Sequence, residues 1–279
     1  MRNGKLSTGV KAAVCAAMLW LCLAVPAAFA GAFEEGVTAH QQKDYATALR
    51  LWRPLAEQGN AAAQFNLGLM YASGEGVPQD YAQAAVWYRK AAGQEHALAQ
   101  YNLGLMYYKG QGVPQDYVQA LAWQRKAAEQ GDAEAQFNLG LMYASGEGVP
   151  QDHAQAATWY RKAAGQGYAH AQYNLGLMYT LGQGVPQNHA QAAAWYRKAA
   201  EQGDVSAKFN LGVIYHKGDG VSQDYVQAHL WYNLAAAGSL PGDADHRKMA
   251  AAERDKLAAK MTPAQIAEAQ RLAREWKPK

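Results

Sequence analysis

Residues 68–80 read GLMYASGEGVPQD, and the same letters return at 140–152. Close variants stand at 104–116, 176–188 and 212–224. The period is 36 residues: Asn66, Asn102, Asn138, Asn174 and Asn210 each open an Asn-Leu-Gly, followed by Tyr71, Tyr107, Tyr143, Tyr179 and Tyr215. A fixed period of this length marks a chain built from copies of one supersecondary unit. Five units fill residues 61–240. Units 61–96 and 133–168 differ at five of 36 positions, whereas 61–96 and 97–132 differ at twelve, so a pair of units was copied together.

Each unit reads as two helices. The first spans about residues 61–72, with Ala63, Leu67, Met70 and Tyr71 at helical spacing, and Gly74 and Gly76 stop it. The second begins after Asp80, which with Gln83 forms a capping box: the carboxylate accepts from first-turn amides and the glutamine reaches back. Asp116 with Gln119, Asp152 with Gln155, Asn188 with Gln191 and Asp224 with Gln227 repeat it. Behind the cap, Ala84, Trp87, Ala91 and Ala92 make the stripe expected to be buried. Gly59, Gly131, Gly167 and Gly203 end second helices, and Glu95 interrupts that series, which predicts a strained joint. Gly68 and its copies Gly104, Gly140, Gly176 and Gly212 let a neighbouring helix approach, while Trp87, Trp123, Trp159, Trp195 and Trp231 are expected to fill the wedges between pairs. Ordering one such hairpin costs roughly 1 to 2 kcal/mol per residue in backbone entropy, more than it recovers alone, so stability must come from stacking.

The pattern A..LG..Y..G.GV..D...A..W..KAA.QG resembles the Sel1-like repeat, a relative of the tetratricopeptide repeat with a longer loop between its helices. The resemblance implies an all-α, right-handed α-solenoid of about fourteen helices. Residues 31–60 form an N-terminal capping pair without the GxG loop, with Asp44 as helix cap and Leu51, Trp52 and Leu55 facing inward. Leu240-Pro241-Gly242 breaks the period, and residues 241–279 are expected to close the stack, with a helix beginning at Thr262-Pro263. Ile266, Ala269, Ala273 and Trp276 mark its apolar face. This ending resembles that of exported bacterial members of the family.

The first thirty residues stand apart. Arg2, Lys5 and Lys11 precede an apolar run from Ala12 to Val25, and Ala28-Phe29-Ala30 suits signal peptidase. The run is shorter than the about 20 residues a spanning helix needs. The expectation is therefore a cleaved leader, a mature chain starting at Gly31 with no membrane span, and a periplasmic or secreted location. Cys22 follows Leu21, where a lipidation box wants a small residue. Both cysteines, Cys15 and Cys22, leave with the leader, and with them any disulfide or thiolate chemistry. Removing the leader's three basic residues from 26 makes the count equal to the 23 acidic ones. That balance argues against a nucleic-acid partner, which would need a persistent basic stripe.

No HExxH, GxSxG or GxxxxGK[ST] motif occurs, and the loop glycines lack the Lys-Ser or Lys-Thr of a phosphate loop. The eight histidines are scattered; His153 and His189 share a slot next to the cap with no second ligand at helical spacing, so neither a metal nor another cofactor is expected. Cysteine-rich relatives have been linked to β-lactam binding or hydrolysis, which makes an envelope hydrolase the alternative. This chain lacks their cysteines and, after the leader, any Ser-x-x-Lys pair. Arg89-Lys90, Arg125-Lys126, Arg161-Lys162 and Arg197-Lys198 suit the negative ends of second helices better than a basic ridge.

Positions identical in all units serve packing, and positions that vary can serve a particular partner. In the tetratricopeptide relatives, slots two, five, nine, twelve and thirteen of each unit line the concave surface. Here the fifth holds Phe65, Tyr101, Phe137, Tyr173 and Phe209, and the ninth Leu69, Leu105, Leu141, Leu177 and Val213. The twelfth and thirteenth hold Ala72-Ser73, Tyr108-Lys109, Ala144-Ser145, Thr180-Leu181 and His216-Lys217. Such a trough suits a protein or peptide partner, an extended strand or an amphipathic helix. The fifth-slot rings are read either as groove lining or as packing between first helices. Asn66, Asn102, Asn138, Asn174 and Asn210 stand mid-helix against propensity. By resemblance they grip a peptide backbone; as an internal ladder they satisfy neighbouring loop carbonyls, the reading favoured here. The function expected is non-catalytic protein binding.

Overall fold

The computed structural model describes residues 31–238 and 244–277. The leader and the break at Leu240-Pro241-Gly242 lie outside the described residues. Among the described residues every regular element is a helix. The chain divides into two compact units, Met1–Asp116 and Tyr117–Lys279. The first holds α1 (31–41), α2 (Tyr45–Glu57), α3 (Ala61–Ser73), α4 (Tyr81–Ala92) and α5 (Ala97–Lys109). The second holds α6 (Tyr117–Glu129), α7 (Ala133–Ser145), α8 (His153–Gly165), α9 (Ala169–Leu181), α10 (His189–Glu201), α11 (Val205–Lys217) and α12 (Tyr225–Ala236), closed by α13 (Ala244–Ala258) and α14 (Pro263–Glu275). Within each unit helices pack chiefly on their neighbours in sequence, as stacked hairpins must.

The hairpin is locked by a tyrosine seated on a glycine. The buried stripe of α4 is Ala84, Ala85, Tyr88, Ala91 and Ala92, which centres on Tyr88 and leaves Trp87 at its edge. A Cβ on Gly68 would lie 2.5 Å from the Tyr88 ring; on Gly140 it would lie 2.6 Å from Tyr160, and on Gly176 2.7 Å from Tyr196. The close approach expected at these glycines is therefore made by a ring, and the ring is not the tryptophan. Trp87, Trp123 and Trp195 are half-buried, and only Trp159 and Trp231 are buried. Each of the first four carries the lysine three residues on over its face, Lys90 at 4.1 Å, Lys126 at 4.5 Å, Lys162 at 3.9 Å and Lys198 at 4.3 Å.

The loop between the two helices is tied at both ends. Gly74 takes the left-handed conformation (φ 80°) and returns its N–H to the Met70 carbonyl. Gly76 (φ 73°) and its copies also seat the loop on the first turn of an earlier second helix. A Cβ on Gly148 would collide with the Tyr117 carbonyl, and one on Gly184 with that of His153. Gln79, Gln151 and Gln187 donate their amides to the carbonyls of Ala72, Ala144 and Thr180 at 2.7–2.8 Å. The capping box forms only in half: Asp80 accepts from the Gln83 N–H at 3.0 Å, but its own N–H is already given to the Tyr71 carbonyl at 2.9 Å. Asp152 and Asp224 repeat that bond to Tyr143 and Tyr215. The glutamine three residues on has no donor left to reach. At α14, where no such loop precedes the helix, Thr262 and Gln265 complete the reciprocal box.

The ends follow their own rules. In the first unit Asp44 caps α2 through the Thr47 N–H, and Trp52 and Leu55 are buried. Glu75 accepts hydrogen bonds from Tyr45, at 3.0 Å, and lies 3.0 Å from His40 Nε2, so the first GxG loop is pinned to this pair; the tyrosine, ahead of the histidine, holds its carboxyl below the usual range. In the second unit Trp276 of α14 meets Trp231 and the ammonium of the buried Lys208.

Two predictions come from these joints. Glu95 sits at φ 64°, where Gly131, Gly167 and Gly203 occupy the matching left-handed positions. Replacing it by glycine relieves a strain of about 1–2 kcal/mol, offset by about 0.5–1 kcal/mol of unfolded-chain entropy. Glu95→Gly should therefore raise the urea midpoint slightly, with a net gain of up to about 1 kcal/mol. His229 is 3% exposed, its Nδ1 has no hydrogen-bond partner, and burial followed by the Arg254 guanidinium holds it below its ordinary value of 6.5, against a smaller opposing pull from Asp255. With the folded value lower than the unfolded one, the unfolded chain takes the proton first. The contribution is whole above pH 6.5 and is lost as pH falls below it. Thermal melts should show that acid slope in the wild type and a flatter one in His229→Leu, leucine being the residue at position 121.

Candidate functional site

Within each unit the helical repeat brings the variable slots of the first helices to one face. Phe65, Tyr101, Phe137, Tyr173 and Phe209 are all half-buried. Four of these rings rest on the seated tyrosine of their own hairpin: Phe65 on Tyr88 at 5.9 Å, Phe137 on Tyr160 at 5.7 Å, and Tyr173 on Tyr196 and Phe209 on Tyr232 at 5.8 Å. Three of them have a second ring beside them as well, His96 on Phe65 at 4.7 Å, Tyr168 on Phe137 at 5.1 Å and His246 on Phe209 at 6.1 Å, so packing takes up much of their surface. Lys109 and Lys217 are exposed and Tyr108 is half-buried. His216 stands edge-on to Tyr225 and Tyr232.

Asn66, Asn102, Asn138, Asn174 and Asn210 are half-buried as well. Asn102 donates to the Leu98 carbonyl of its own helix at 2.8 Å. Asn174 is hydrogen-bonded to the Tyr160 hydroxyl, and Asn210 to the hydroxyls of Tyr173 and Tyr196. Burial pushes the Tyr160 and Tyr196 phenols up to about 12, so both stay neutral hydrogen-bonding groups.

An amide ladder between repeats exists, but glutamines make it. Gln64, Gln136 and Gln172 are buried and donate to the carbonyls of Ala56, Ala128 and Ala164 at 2.9–3.2 Å. Their own carbonyls accept from Gln94, Gln166 and Gln202 at 2.8 Å. The signal was present in the sequence: glutamine recurs at 64, 100, 136 and 172 between apolar neighbours. It ends where Lys208 and Gly238 replace the two partners.

The paired cations are also absorbed. Arg89 donates to the Tyr107 hydroxyl at 2.9 Å, Arg125 to Tyr143 at 2.7 Å and Arg161 to Tyr179 at 3.3 Å, and Arg197 donates to Tyr215. Each arginine thereby joins one repeat to the next, and each lysine covers a tryptophan.

Between α7, α8 and α9 lies a cavity of about 250 Å³. Ala144, Leu177 and Met178 supply apolar lining, the Tyr160 ring a wall, and His153, Asn174 and Gln183 neutral polar groups. Three of these residues belong to the predicted groove slots: Asn174, Leu177 and Ala144. His153 and Tyr160 come from the second helix, which slot reasoning did not place in the groove. Among the described residues no three His, Cys, Asp or Glu side chains gather as metal ligands, and no helix is long and apolar enough to cross a membrane.

The Sel1 repeat family model matches residues 28–60, 61–96, 97–132, 133–168, 169–204 and 205–240. The chain belongs to the Sel1 repeat family. Its fold is accordingly that of a helical solenoid. Two solved structures are similar over most of it. One is c5321 of uropathogenic Escherichia coli, a protective antigen with an SLR fold: 39% identity, TM-score 0.77, covering 88% of this chain and 53% of that one. The other is a Sel1 repeat protein of Oxalobacter formigenes: 33% identity, TM-score 0.75, covering 87% and 99%. The chain spans about half the length of the first. No curated protein matches it. Sel1 repeat proteins are generally non-catalytic scaffolds that mediate protein–protein interaction.

The ladder supplies a direct test. Gln136→Leu keeps the volume but removes one bond of the Ala128 carbonyl, which keeps the Gly131 N–H at 3.1 Å, and one bond of the Gln166 amide. Two hydrogen bonds at about 0.5–1.5 kcal/mol each make a loss of about 1–3 kcal/mol. A urea titration should show that loss, whereas the exposed Gln155→Leu should leave the midpoint in place.

Proposed function

We propose that this Sel1 repeat protein is exported and holds a protein or peptide partner on its concave face, formed by the first helices of the repeats. The observation that carries the reading is the row of uncovered aliphatic side chains there. Leu69 is 39% exposed and Leu98 48% in the first unit, and Leu141 is 39% and Leu181 53% in the second. They lie on the same helices as the half-buried fifth-slot rings. Helices of a stacked fold normally bury such side chains, so these spend apolar surface on solvent until something covers them. Few charges interrupt the surface, with Lys109 and Lys217 exposed at helix ends. That combination suits an extended segment or the apolar face of a helix.

Export rests on the basic start, apolar run and Ala-x-Ala site of residues 1–30. The description of the E. coli relative as a protective antigen supports an outward-facing location. Both cysteines lie in the leader, so the mature chain needs no disulfide in an oxidising compartment.

The surface is tested by charge. Leu141→Glu combined with Leu181→Glu alters side chains that are 39% and 53% exposed, so the helical circular dichroism should be retained. Crosslinking and pull-down from the native envelope should then recover the wild type's partner at roughly a tenth or less of its yield, the loss expected for apolar residues central to an interface. Equal recovery by both proteins would sink the concave-face reading.

A further inference from the structure

Residues 61–111 repeat the lining of the 250 Å³ cavity almost letter for letter. Ala72, Tyr88, Asn102, Leu105, Met106 and Gln111 match their counterparts, and only His153 changes, to Tyr81. The Tyr81 hydroxyl accepts from Gln79 Nε2 at 3.1 Å, and the same amide donates to the Ala72 carbonyl at 2.8 Å, which ties the larger side chain to the residue matching Ala144. The other repeats put larger side chains at the position of Ala144. Thr180 lies there with its hydroxyl 3.1 Å from that of Tyr196, and His216 stands edge-on to Tyr225 at 5.8 Å and Tyr232 at 6.4 Å. The cavity is lined by Ala144 and His153 together, a pair that occurs once in the chain.

We propose that this cavity is a single-copy subsite that receives one tyrosine side chain of a bound peptide. At about 250 Å³ it lies below the roughly 300–1,000 Å³ of pockets that bury a whole small molecule, and it is the right scale for one side chain. Leu177, Met178 and the Tyr160 ring offer an apolar body, the thioether being well suited to an aromatic ring. The lining has no Asp, Glu, Lys or Arg, so a charged side chain would lose its hydration without a partner. Asn174 donates to the Tyr160 hydroxyl, which leaves the phenol O–H as a donor and the Asn174 carbonyl as an acceptor for a guest. A phenol both donates and accepts. A purely aliphatic or phenyl side chain would cover those groups and leave them unpaired. This assignment rests on the reading of the first-helix face as the binding surface.

The test uses the full mature chain carrying carbon-13 methionine methyls and 4-methylphenol, the side chain of tyrosine, as probe. The Met178 methyl should shift and saturate with a Kd on the order of millimolar, the range open to so small a ligand. Toluene, lacking the hydroxyl, should bind roughly three- to tenfold more weakly. His153→Tyr should abolish the Met178 response, and Tyr81→His should create a second response at Met106; each exchange installs a residue the other site already carries, so the fold tolerates it. A silent Met178 in the wild type, toluene binding as tightly as the phenol, or a silent Met106 in Tyr81→His would overturn the subsite. If the phenol fails while the charged leucine variants still lose their partner, the surface stands without the subsite. If the phenol binds and those variants keep their partner, the subsite stands apart from the surface.

Discussion

The seated phenol joins most of what this chain does structurally. Tyr160 reaches α7 only because Gly140 has no side chain, and a Cβ there would lie 2.6 Å from the ring. One face of the ring closes the hairpin and another part supports Phe137. Its hydroxyl meets Asn174 of the following repeat and opens onto the cavity. Hairpin packing, the aromatic face and the polar contact between repeats therefore share one side chain. Burial keeps that phenol neutral far above physiological pH, so the joint does not titrate under ordinary conditions. In residues 97–132 the position holds Gln124, buried to 1% exposure, which shows that the slot demands length and burial more than aromaticity.

Three further contacts convert a hairpin into a stack. The second loop glycine seats each loop on an earlier helix start, the buried glutamine reaches back to the preceding repeat's last carbonyls, and the arginine reaches forward to a tyrosine hydroxyl. The glutamine is a polar group removed from water, so it is stabilising only while its partners are present, and a missing repeat would leave buried amides short of partners; the arginine bonds lie nearer the surface. This explains why the last repeat departs from consensus. Lys208 stands where the ladder glutamine would, no glutamine follows it at 238, and its ammonium lies against Trp276 of the closing helix.

The 36-residue period, the helix pair and the left-handed joint at Glu95 were legible because each depends on local sequence: spacing, glycine and proline placement, and backbone sign. What was misread depends on neighbours. Trp87 and Tyr88 are adjacent, both aromatic and both at apolar spacing, and only the position of the facing glycine decides that the smaller ring goes in. The capping box fails in the repeats because the loop returns the cap's N–H to Tyr71, a bond across nine residues that the Asp-x-x-Gln pattern does not contain. The ladder was sought in asparagine because asparagine is a poor helix former, whereas glutamine fits a helix well and raised no signal by propensity. Its burial beside Ala63 and Leu67 was the clue, since a polar side chain on an apolar stripe must have a partner.

A repeated framework also changes what a single substitution can mean. When glycine, tyrosine, glutamine and arginine positions are committed to joining copies, they are unavailable for distinguishing one stretch of surface from another. Discrimination falls to slots that vary between copies, chiefly the twelfth position and the first residue of the second helix. At these two slots the copies hold alanine, tyrosine, threonine or histidine with little effect on the surrounding lining, as the near identity of residues 61–111 and 133–183 shows. The scaffold can therefore vary its recognition one cavity at a time, because these two slots change between copies while the glycine, glutamine and arginine joints recur.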